Sequence, residues 1–125
     1  MNNSELQEKV QNIFDELCAL NETIPIIVEG KKDELALRKL GAAGHIIKLN
    51  RGQTILNFCE EIAREYAEVI ILPDWDSKGK QLFTKLLQNF KINNVKTVKK
   101  FWREFKRYCS KDVREVEYLT KFSTT

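Results

Sequence analysis

The chain has 125 residues, which fits a single domain, and its hydrophobic content of 42% is ordinary for a folded core. Three cysteines without any C-x-x-C pair exclude a zinc ribbon and argue against a disulfide framework, and no apolar run approaches the ~18 residues of a membrane helix. The net charge of +3 is uneven, because residues 91–125 carry ten bases and four acids. This excess suits a polyanionic partner and equally a solvated helix face rich in lysine, while no membrane partner is expected.

The N-terminal segment, residues 1–23, carries five acids and one base. Apolar residues at helical spacing predict an amphipathic helix over 4–20 that packs on the outside of the core, with Ser4 as its N-cap. The segment lacks the basic start and apolar stretch of a signal peptide, so we expect a cytoplasmic protein. A β-branched run at 24–28 then predicts a strand buried on both faces.

Three more strand patterns follow along the chain, each after a helical pattern. The predicted strands span 45–49, 69–72 and 95–98. The helices before and between them begin at Asp33, Thr54 and Ser77, and the tail is helical. Strands that alternate with helices favour a parallel sheet with right-handed crossovers. The sequence therefore predicts an α/β fold with about four parallel strands flanked by helices.

Acidic side chains follow two of these strands at the point where each strand ends. Glu29 follows the first strand, and Asp74 and Asp76 follow the third, which we expect to be its neighbour in a doubly wound sheet. Three carboxylates at one sheet edge repel one another, and a divalent cation relieves the repulsion. Oxygen ligands favour Mg²⁺ or Mn²⁺, and the D-x-D spacing places both aspartates on one side of an extended loop.

Each of these acids also has a structural interpretation. An aspartate before a helix is commonly an N-cap, and a glutamate after a strand is often only solvated. Their joint occurrence at two strand ends, beside glycines and lysines, favours a catalytic and metal-binding site made of Glu29, Asp74 and Asp76.

Basic residues near the acids and in the tail are candidates for binding phosphate or nucleic acid. Those beside the acids are Lys31, Lys32, Lys78 and Lys80. Arg51 follows the second strand at the same sheet edge, where a phosphate contact and a solvated loop arginine are equally compatible with the sequence. In the tail, a phosphate-facing surface is predicted for Lys99, Lys100, Arg103, Lys106 and Arg107.

Two segments resemble the motifs of the Toprim domain. Residues 26–33, IIVEGKKD, resemble its first motif, an apolar strand followed by E-G-x-x-D, and residues 74–79, DWDSKG, resemble its D-x-D-x-x-G motif. The resemblance covers roughly residues 24–100. We therefore interpret the chain as a Toprim core over 24–100, preceded by an N-terminal helix over 1–23 and followed by a basic helical extension over 101–125.

Toprim domains occur in primases, topoisomerases, small nucleases and ribosomal-RNA maturases. The resemblance implies that Glu29 acts in acid/base chemistry or metal binding, that Asp74 and Asp76 bind Mg²⁺, and that the substrate is a phosphodiester. The chain has no room for a topoisomerase gate or for the zinc-binding and helicase-binding domains of a full primase, so it most resembles the maturase and small-nuclease branch. The structural positions of its two motifs are Gly30, Asp33 and Gly79.

The expected function is Mg²⁺-dependent or Mn²⁺-dependent phosphodiester chemistry on RNA or DNA, with hydrolysis by a nuclease or processing factor first and primase-like nucleotidyl transfer second. The alternative is a non-catalytic nucleic-acid or ribonucleoprotein binding module that requires a protein partner to position its substrate. A haloacid-dehalogenase-like phosphatase is disfavoured, because its D-x-D pair follows the first strand and not the third.

Two further residues carry expectations about the site. Trp75 lies between the two aspartates, where packing in the core is favoured over stacking on a base. Among the acids of the tail, Asp112 is the candidate for an additional acid that reaches the site.

Overall fold

Four short strands form the centre of the protein, and the two central ones are the most apolar. The strands are β1 (Ile26–Val28), β2 (Ile46–Lys48), β3 (Glu68–Ile71) and β4 (Lys96–Val98). They pair as one parallel sheet in the order β2-β1-β3-β4 in the computed structural model, which describes residues 1–49 and 52–123. The helices are α1 (Asn3–Asn21), α2 (Lys31–Lys39), α3 (Ile55–Glu65), α4 (Ser77–Ile92), α5 (Lys100–Cys109) and a final 3₁₀ helix, Val116–Phe122. The predicted α/β architecture is confirmed.

The two central strands, β1 and β3, are direct neighbours. Ile26 of β1 is paired with Ile46 of β2 on one side and with Ile70 of β3 on the other. Ile26, Ile27 and Ile70 are completely buried, because helices cover both faces of the sheet. The expected pairing of the first and third strands is confirmed, so whatever follows these strands meets at one edge of the sheet.

Two helices begin with a cap one or two residues earlier than the sequence suggested. Asn2 caps α1 in place of Ser4, and Asp76 caps α4 in place of Ser77. In both helices the side chain of the residue just before the first turn accepts a backbone N–H from within that turn. Thr54 caps α3 as predicted.

Helix α1 packs against α5 through an apolar centre, with charged residues at its edge. Val10, Phe14 and Leu17 of α1 are buried, and the ring of Phe14 lies 5.7 Å from the ring of Phe105 in α5, centroid to centroid. The N-terminal segment therefore contributes to the core itself. Burial of a side chain of this size stabilises a fold by roughly 1.5–3 kcal/mol.

The end of α1 is held to the sheet by one buried amide. The side chain of Asn21 is 1% exposed and donates hydrogen bonds to the backbone oxygens of Ile24 and His45, each at 3.0 Å. Its oxygen accepts the backbone N–H of Gly44 at 2.9 Å. The three bonds join the chain segments that enter β1 and β2.

The C-terminal segment turns back toward the carboxyl ends of the central strands. The backbone N–H of Trp75 donates to the oxygen of Arg114 at 2.9 Å, and the 3₁₀ helix packs against α2. This return brings residues more than thirty positions away in sequence next to the loop that follows β3. Within residues 1–49 and 52–123, no helix has the length and apolar character to cross a membrane.

Candidate functional site

The acids that follow the two central strands are in direct contact. Glu29 comes after β1 and Asp74 comes after β3. The backbone N–H of Asp74 donates to Oε2 of Glu29 at 2.8 Å. This contact follows from the parallel pairing of β1 and β3, which brings their carboxyl ends to the same edge.

The Asp74 carboxylate is partly buried beneath the returning C-terminal segment. Its Oδ1 accepts the backbone N–H of Val116 at 2.8 Å, and its backbone oxygen accepts the indole N–H of Trp102 at 3.1 Å. Burial raises the pKa of Asp74 to about 8, the Val116 hydrogen bond opposes the rise, and the charges of Glu29 and Asp33 add to it. The ionised form of Asp74 is therefore electrostatically unfavourable unless a cation lies nearby.

Asp33 sits in the first turn of α2 and is also buried. Its Oδ2 accepts the backbone N–H of Gly30 at 3.0 Å, which caps the start of the helix. Burial raises the pKa of Asp33, and the charges of Glu29 and Glu117 act in the same direction. Asp33 thus has a structural role, as expected for its motif position, while adding negative charge beside Asp74.

These acids line one open cleft of about 630 Å³, which we call the carboxylate cleft. Lysines and acids share its walls. The charged residues that line it are Glu29, Lys31, Lys32, Asp33, Asp74, Lys78 and Glu117. Three of the four lysines expected near the acids are therefore in this cleft, and Lys80 is not. A cleft with both anions and cations in its walls can hold a metal ion and an anionic substrate side by side.

Asp76 lies on the other side of the loop, away from the carboxylate cleft. Its Oδ1 accepts the backbone N–H of Gly79 at 2.8 Å, which caps α4. A Cβ on Gly79 would lie 1.9 Å from the backbone oxygen of Asp74, so only glycine lets α4 start this close to the loop. The two aspartates of the D-x-D motif therefore face different surroundings, because the helix begins immediately after the second one.

Asp76 instead belongs to a second, neighbouring depression that we call the basic groove. It lies between the start of α4, the exposed side of α5 and the chain that follows α5. Its basic residues are Lys80, Arg103, Lys106, Arg107 and Arg114. The groove has a volume of about 790 Å³ and contains one acid, Asp76.

Two predicted phosphate-binding residues of the tail lie elsewhere. Nζ of Lys100 is 2.6 Å from Oε1 of Glu16, because α5 packs against the acidic helix α1. Lys99 lines a separate depression beside β4. The structure therefore separates both from the three other basic residues predicted in the tail. Arg51 lies outside the described residues.

Trp75 is a core residue, as the packing interpretation predicted. Its side chain is 2% exposed, its ring stacks on Phe105 at 5.8 Å, and its indole N–H donates to the oxygen of Val113 at 2.9 Å. The candidate Asp112 does not reach the site and instead pairs with Lys121 at 3.4 Å. The tail acid in the carboxylate cleft is Glu117, which sequence reasoning had not preferred.

Residues 24–117 match the Toprim domain family, and this range contains both strand-end motifs and the whole carboxylate cleft. The chain belongs to the Toprim family. The matched range extends into the 3₁₀ helix that supplies Glu117, so the returning segment is included in the similarity.

Toprim relatives of similar size are found in archaea. The chain is 32% identical over 122 residues to UPF0292 protein MJ1624 of Methanocaldococcus jannaschii, covering 98% of this chain and 95% of that protein. It is 44% identical over 94 residues to UPF0292 protein PH1700 of Pyrococcus horikoshii, covering 75% and 70% respectively. A solved structure of an Aquifex aeolicus protein superimposes with a TM-score of 0.62 at 23% identity, over 93% of this chain and 96% of that one, which shows a shared fold.

Membership of the Toprim family associates the chain with metal-dependent functions on nucleic acids. Glu29 and Asp74 fit a metal ion, because they are adjacent oxygen donors whose mutual repulsion a cation would relieve. Mg²⁺ is commonly bound by one or two carboxylates, with waters and a substrate phosphate completing its shell. Across residues 1–49 and 52–123, no group of three or more His, Cys, Asp or Glu side chains is assembled for a metal. The pair of carboxylates by itself suits an ion shared between protein and substrate.

Proposed function

We propose that the protein catalyses Mg²⁺-dependent phosphodiester chemistry on nucleic acid, as a small nuclease or processing factor. The observation that carries the proposal is the contact between Glu29 and Asp74 inside a cleft that also contains three lysines. Hydrolysis is the simplest reaction for such a cleft, since it requires only water as the second reactant. Primase-like nucleotidyl transfer would use the same groups with a nucleotide hydroxyl in place of water.

Glu29 and Asp74 would hold the metal in this proposal. Bound Mg²⁺ would neutralise negative charge on the substrate phosphate. Oε2 of Glu29 already accepts the Asp74 backbone N–H, so its other oxygen would serve as a ligand or accept the proton of the attacking water. Asp76 would act through the loop, by fixing the start of α4 beside Asp74. The Gly79 bond engages only Oδ1 of Asp76, so a direct ligand role would require its other oxygen to turn from the basic groove to the carboxylate cleft.

The lysines of the carboxylate cleft would bind the oxygens of the phosphate. Lys31 and Lys32 begin α2, and Lys78 lies in the first turn of α4, so all three stand at helix N-termini that also attract anions. A phosphate in the cleft would then meet positive charge from two sides. This placement would orient the phosphate without any movement of the sheet.

The test is cleavage of labelled structured RNA, duplex DNA and single-stranded DNA with Mg²⁺, with Mn²⁺ or with EDTA. Wild type is compared with Asp74→Asn and with the matched control Asp112→Asn, which removes a carboxylate outside the cleft. We expect cleavage that requires the metal, disappears in Asp74→Asn and persists in the control. Equal activity of all three proteins, or activity in EDTA, would contradict the proposal.

A non-catalytic binding module is the second candidate. The observation that favours it is the hydrogen bond from the backbone N–H of Val116 to Oδ1 of Asp74. This bond occupies one of the two oxygens with which the Asp74 carboxylate could bind a metal. Glu29→Gln distinguishes the two functions, because a nuclease would lose turnover whereas a binding module would retain its affinity. In the second case, the physiological reaction would depend on a protein or ribonucleoprotein partner.

A further inference from the structure

The five cations of the basic groove come from three separate parts of the chain. Lys80 lies on α4, Arg103, Lys106 and Arg107 lie on α5, and Arg114 lies in the segment that returns to the D-x-D loop. The three residues on α5 are spaced i, i+3 and i+4, so they share one face of the helix. They span about 6 Å of helix axis, which is close to two nucleotide steps of a duplex strand at about 3.4 Å each.

These cations are not neutralised by carboxylates of the protein. Within residues 1–49 and 52–123, none of the five forms an ion pair, whereas Lys100 in the first turn of α5 is paired with Glu16. Lys106 lies over the ring of Trp102 at 5.4 Å, and Arg107 lies over the ring of Tyr108 at 5.2 Å. The groove thus presents a net positive surface whose natural counterpart is a row of phosphates.

Among residues 1–49 and 52–123, none gives the groove an exposed aromatic face on which an unpaired base could stack. Trp75 and Trp102 are in its wall, but they are only 2% and 5% exposed. One face of Trp102 is covered by Phe83, whose ring centroid lies 3.8 Å away, and its indole N–H is used by the backbone oxygen of Asp74. Proteins that bind single strands combine positive charge with exposed aromatic rings. The groove offers only the positive charge.

We infer that the basic groove binds the sugar-phosphate backbone of paired nucleic acid, independently of base sequence. The inference deepens the proposed function by naming the form of the substrate. The loop of Asp74, Trp75 and Asp76 borders both depressions, since Asp74 lines the carboxylate cleft and Asp76 lines the groove. A duplex held in the groove therefore has phosphates of the same backbone close to Glu29 and Asp74.

The test measures the binding of labelled nucleic acid by fluorescence anisotropy. EDTA is present so that metal-dependent cleavage does not occur. The probes are a 20-base-pair RNA duplex, a DNA duplex of the same sequence and the separate strands, and each is titrated at several salt concentrations. The groove variant combines Arg103→Gln, Lys106→Gln and Arg107→Gln. The control variant removes the same charge at exposed lysines outside both clefts by combining Lys39→Gln, Lys85→Gln and Lys91→Gln.

We expect wild type and the control to bind duplexes more tightly than single strands. The groove variant should lose about tenfold or more in duplex affinity, and its slope of log affinity against log salt should become shallower by about 2 to 3. Circular dichroism establishes that both variants are folded, and Lys80→Gln with Arg114→Gln tests the same groove from other elements. Equal losses in the groove and control variants, or tighter binding of single strands, would overturn the inference.

Binding and cleavage measured on the same variants distinguish the role of the groove from the proposed chemistry. Asp74→Asn keeps all five cations of the groove and removes a negative charge beside the expected path of the phosphates, so in EDTA it should bind duplexes at least as tightly as wild type. Duplex binding without metal-dependent cleavage would refute the proposed chemistry and leave the groove assignment standing. Cleavage that proceeds equally well in the groove variant at low substrate concentration would refute the groove assignment and leave the chemistry standing. A preference between the RNA and DNA duplexes identifies the polymer.

Discussion

Replacing Asp74 with asparagine should stabilise the folded protein at alkaline pH. The wild-type carboxylate is partly buried beside Glu29 and Asp33, and its pKa is raised from 3.8 to about 8, first by burial and then by these charges. Asparagine keeps the oxygen that accepts the N–H of Val116 and removes the negative charge. The substitution therefore removes an electrostatic cost while preserving the hydrogen bond.

The size of the effect depends on pH in a defined direction. Between pH 3.8 and about 8, the folded protein keeps a proton on Asp74 that the unfolded chain has lost, so the free energy of unfolding falls as pH rises. Each unit by which the folded-state pKa is raised lowers the free energy of unfolding by about 1.4 kcal/mol once Asp74 is ionised. Because the cleft opens to solvent, water screens part of this cost, and we expect the variant to gain about 1 to 3 kcal/mol at pH 8.

The assay is urea denaturation of wild type, Asp74→Asn and the control Asp112→Asn at pH 5 and at pH 8. The advantage of Asp74→Asn over wild type should be larger at pH 8 than at pH 5, and Asp112→Asn should show neither gain nor pH dependence of this kind. Added Mg²⁺ should narrow the difference at pH 8, since it stabilises only the ionised wild-type pair. An advantage that is absent at pH 8, or equal at both pH values, would refute the electrostatic reasoning.

Two substitutions and one labelling experiment test the packing of the fold. Gly79→Ala should destabilise the fold by about 1–3 kcal/mol and abolish metal-dependent activity, because a Cβ would lie 1.9 Å from the Asp74 backbone oxygen; a neutral effect in urea denaturation would contradict this contact. Asn21→Ala should cost about 2–4 kcal/mol, since its hydrogen-bond partners are left unsatisfied, and an unchanged melting temperature would exclude that role. Burial raises the pKa of Cys59 and Cys109 to about 12, so neither should react with a thiol reagent at pH 8 until the protein unfolds; rapid labelling of the native protein would refute their burial.

The sheet and one half of the candidate site could be predicted from sequence. The central strands β1 and β3 are rich in buried isoleucine and valine, and such short apolar runs between helical patterns indicate a parallel sheet. Parallel order then brings the residues after β1 and β3 together, and Glu29 and Asp74 are indeed in contact. Both steps depend only on local pattern and on general rules of sheet topology.

The placement of Asp76 depends on where helix α4 begins. Local sequence pattern predicts the first residue of a helix only to within one or two positions. The D-x-D spacing predicts a shared direction for two side chains only if the loop stays extended. Because α4 begins at Ser77, the Asp76 side chain turns to the helix N-terminus and leaves the face on which Asp74 lies. Aspartate is both a common helix N-cap and a common metal ligand, so the residue type does not distinguish the two roles of Asp76.

The contribution of the tail could not be predicted, because it depends on contacts between distant residues. Nothing near Glu117 in the sequence indicates that its segment returns to α2, whereas the structure shows that Trp75 and Arg114 fix this return. Likewise, the pairing of Lys100 with Glu16 follows from the packing of α1 on α5. In a run of lysines and arginines, such packing decides which charges are neutralised and which remain available.

The chain contains two tryptophans: Trp75 is part of the D-x-D loop, and Trp102 contacts that loop. The indole of Trp75 is bonded to Val113 and that of Trp102 to the backbone of Asp74. The tryptophan fluorescence of the unlabelled protein, excited at wavelengths that tyrosine does not absorb, therefore originates beside the candidate site. Detachment of the C-terminal segment would expose Trp75 to water and shift its emission to longer wavelength, so the protein carries its own optical reporter of whether this segment is in place.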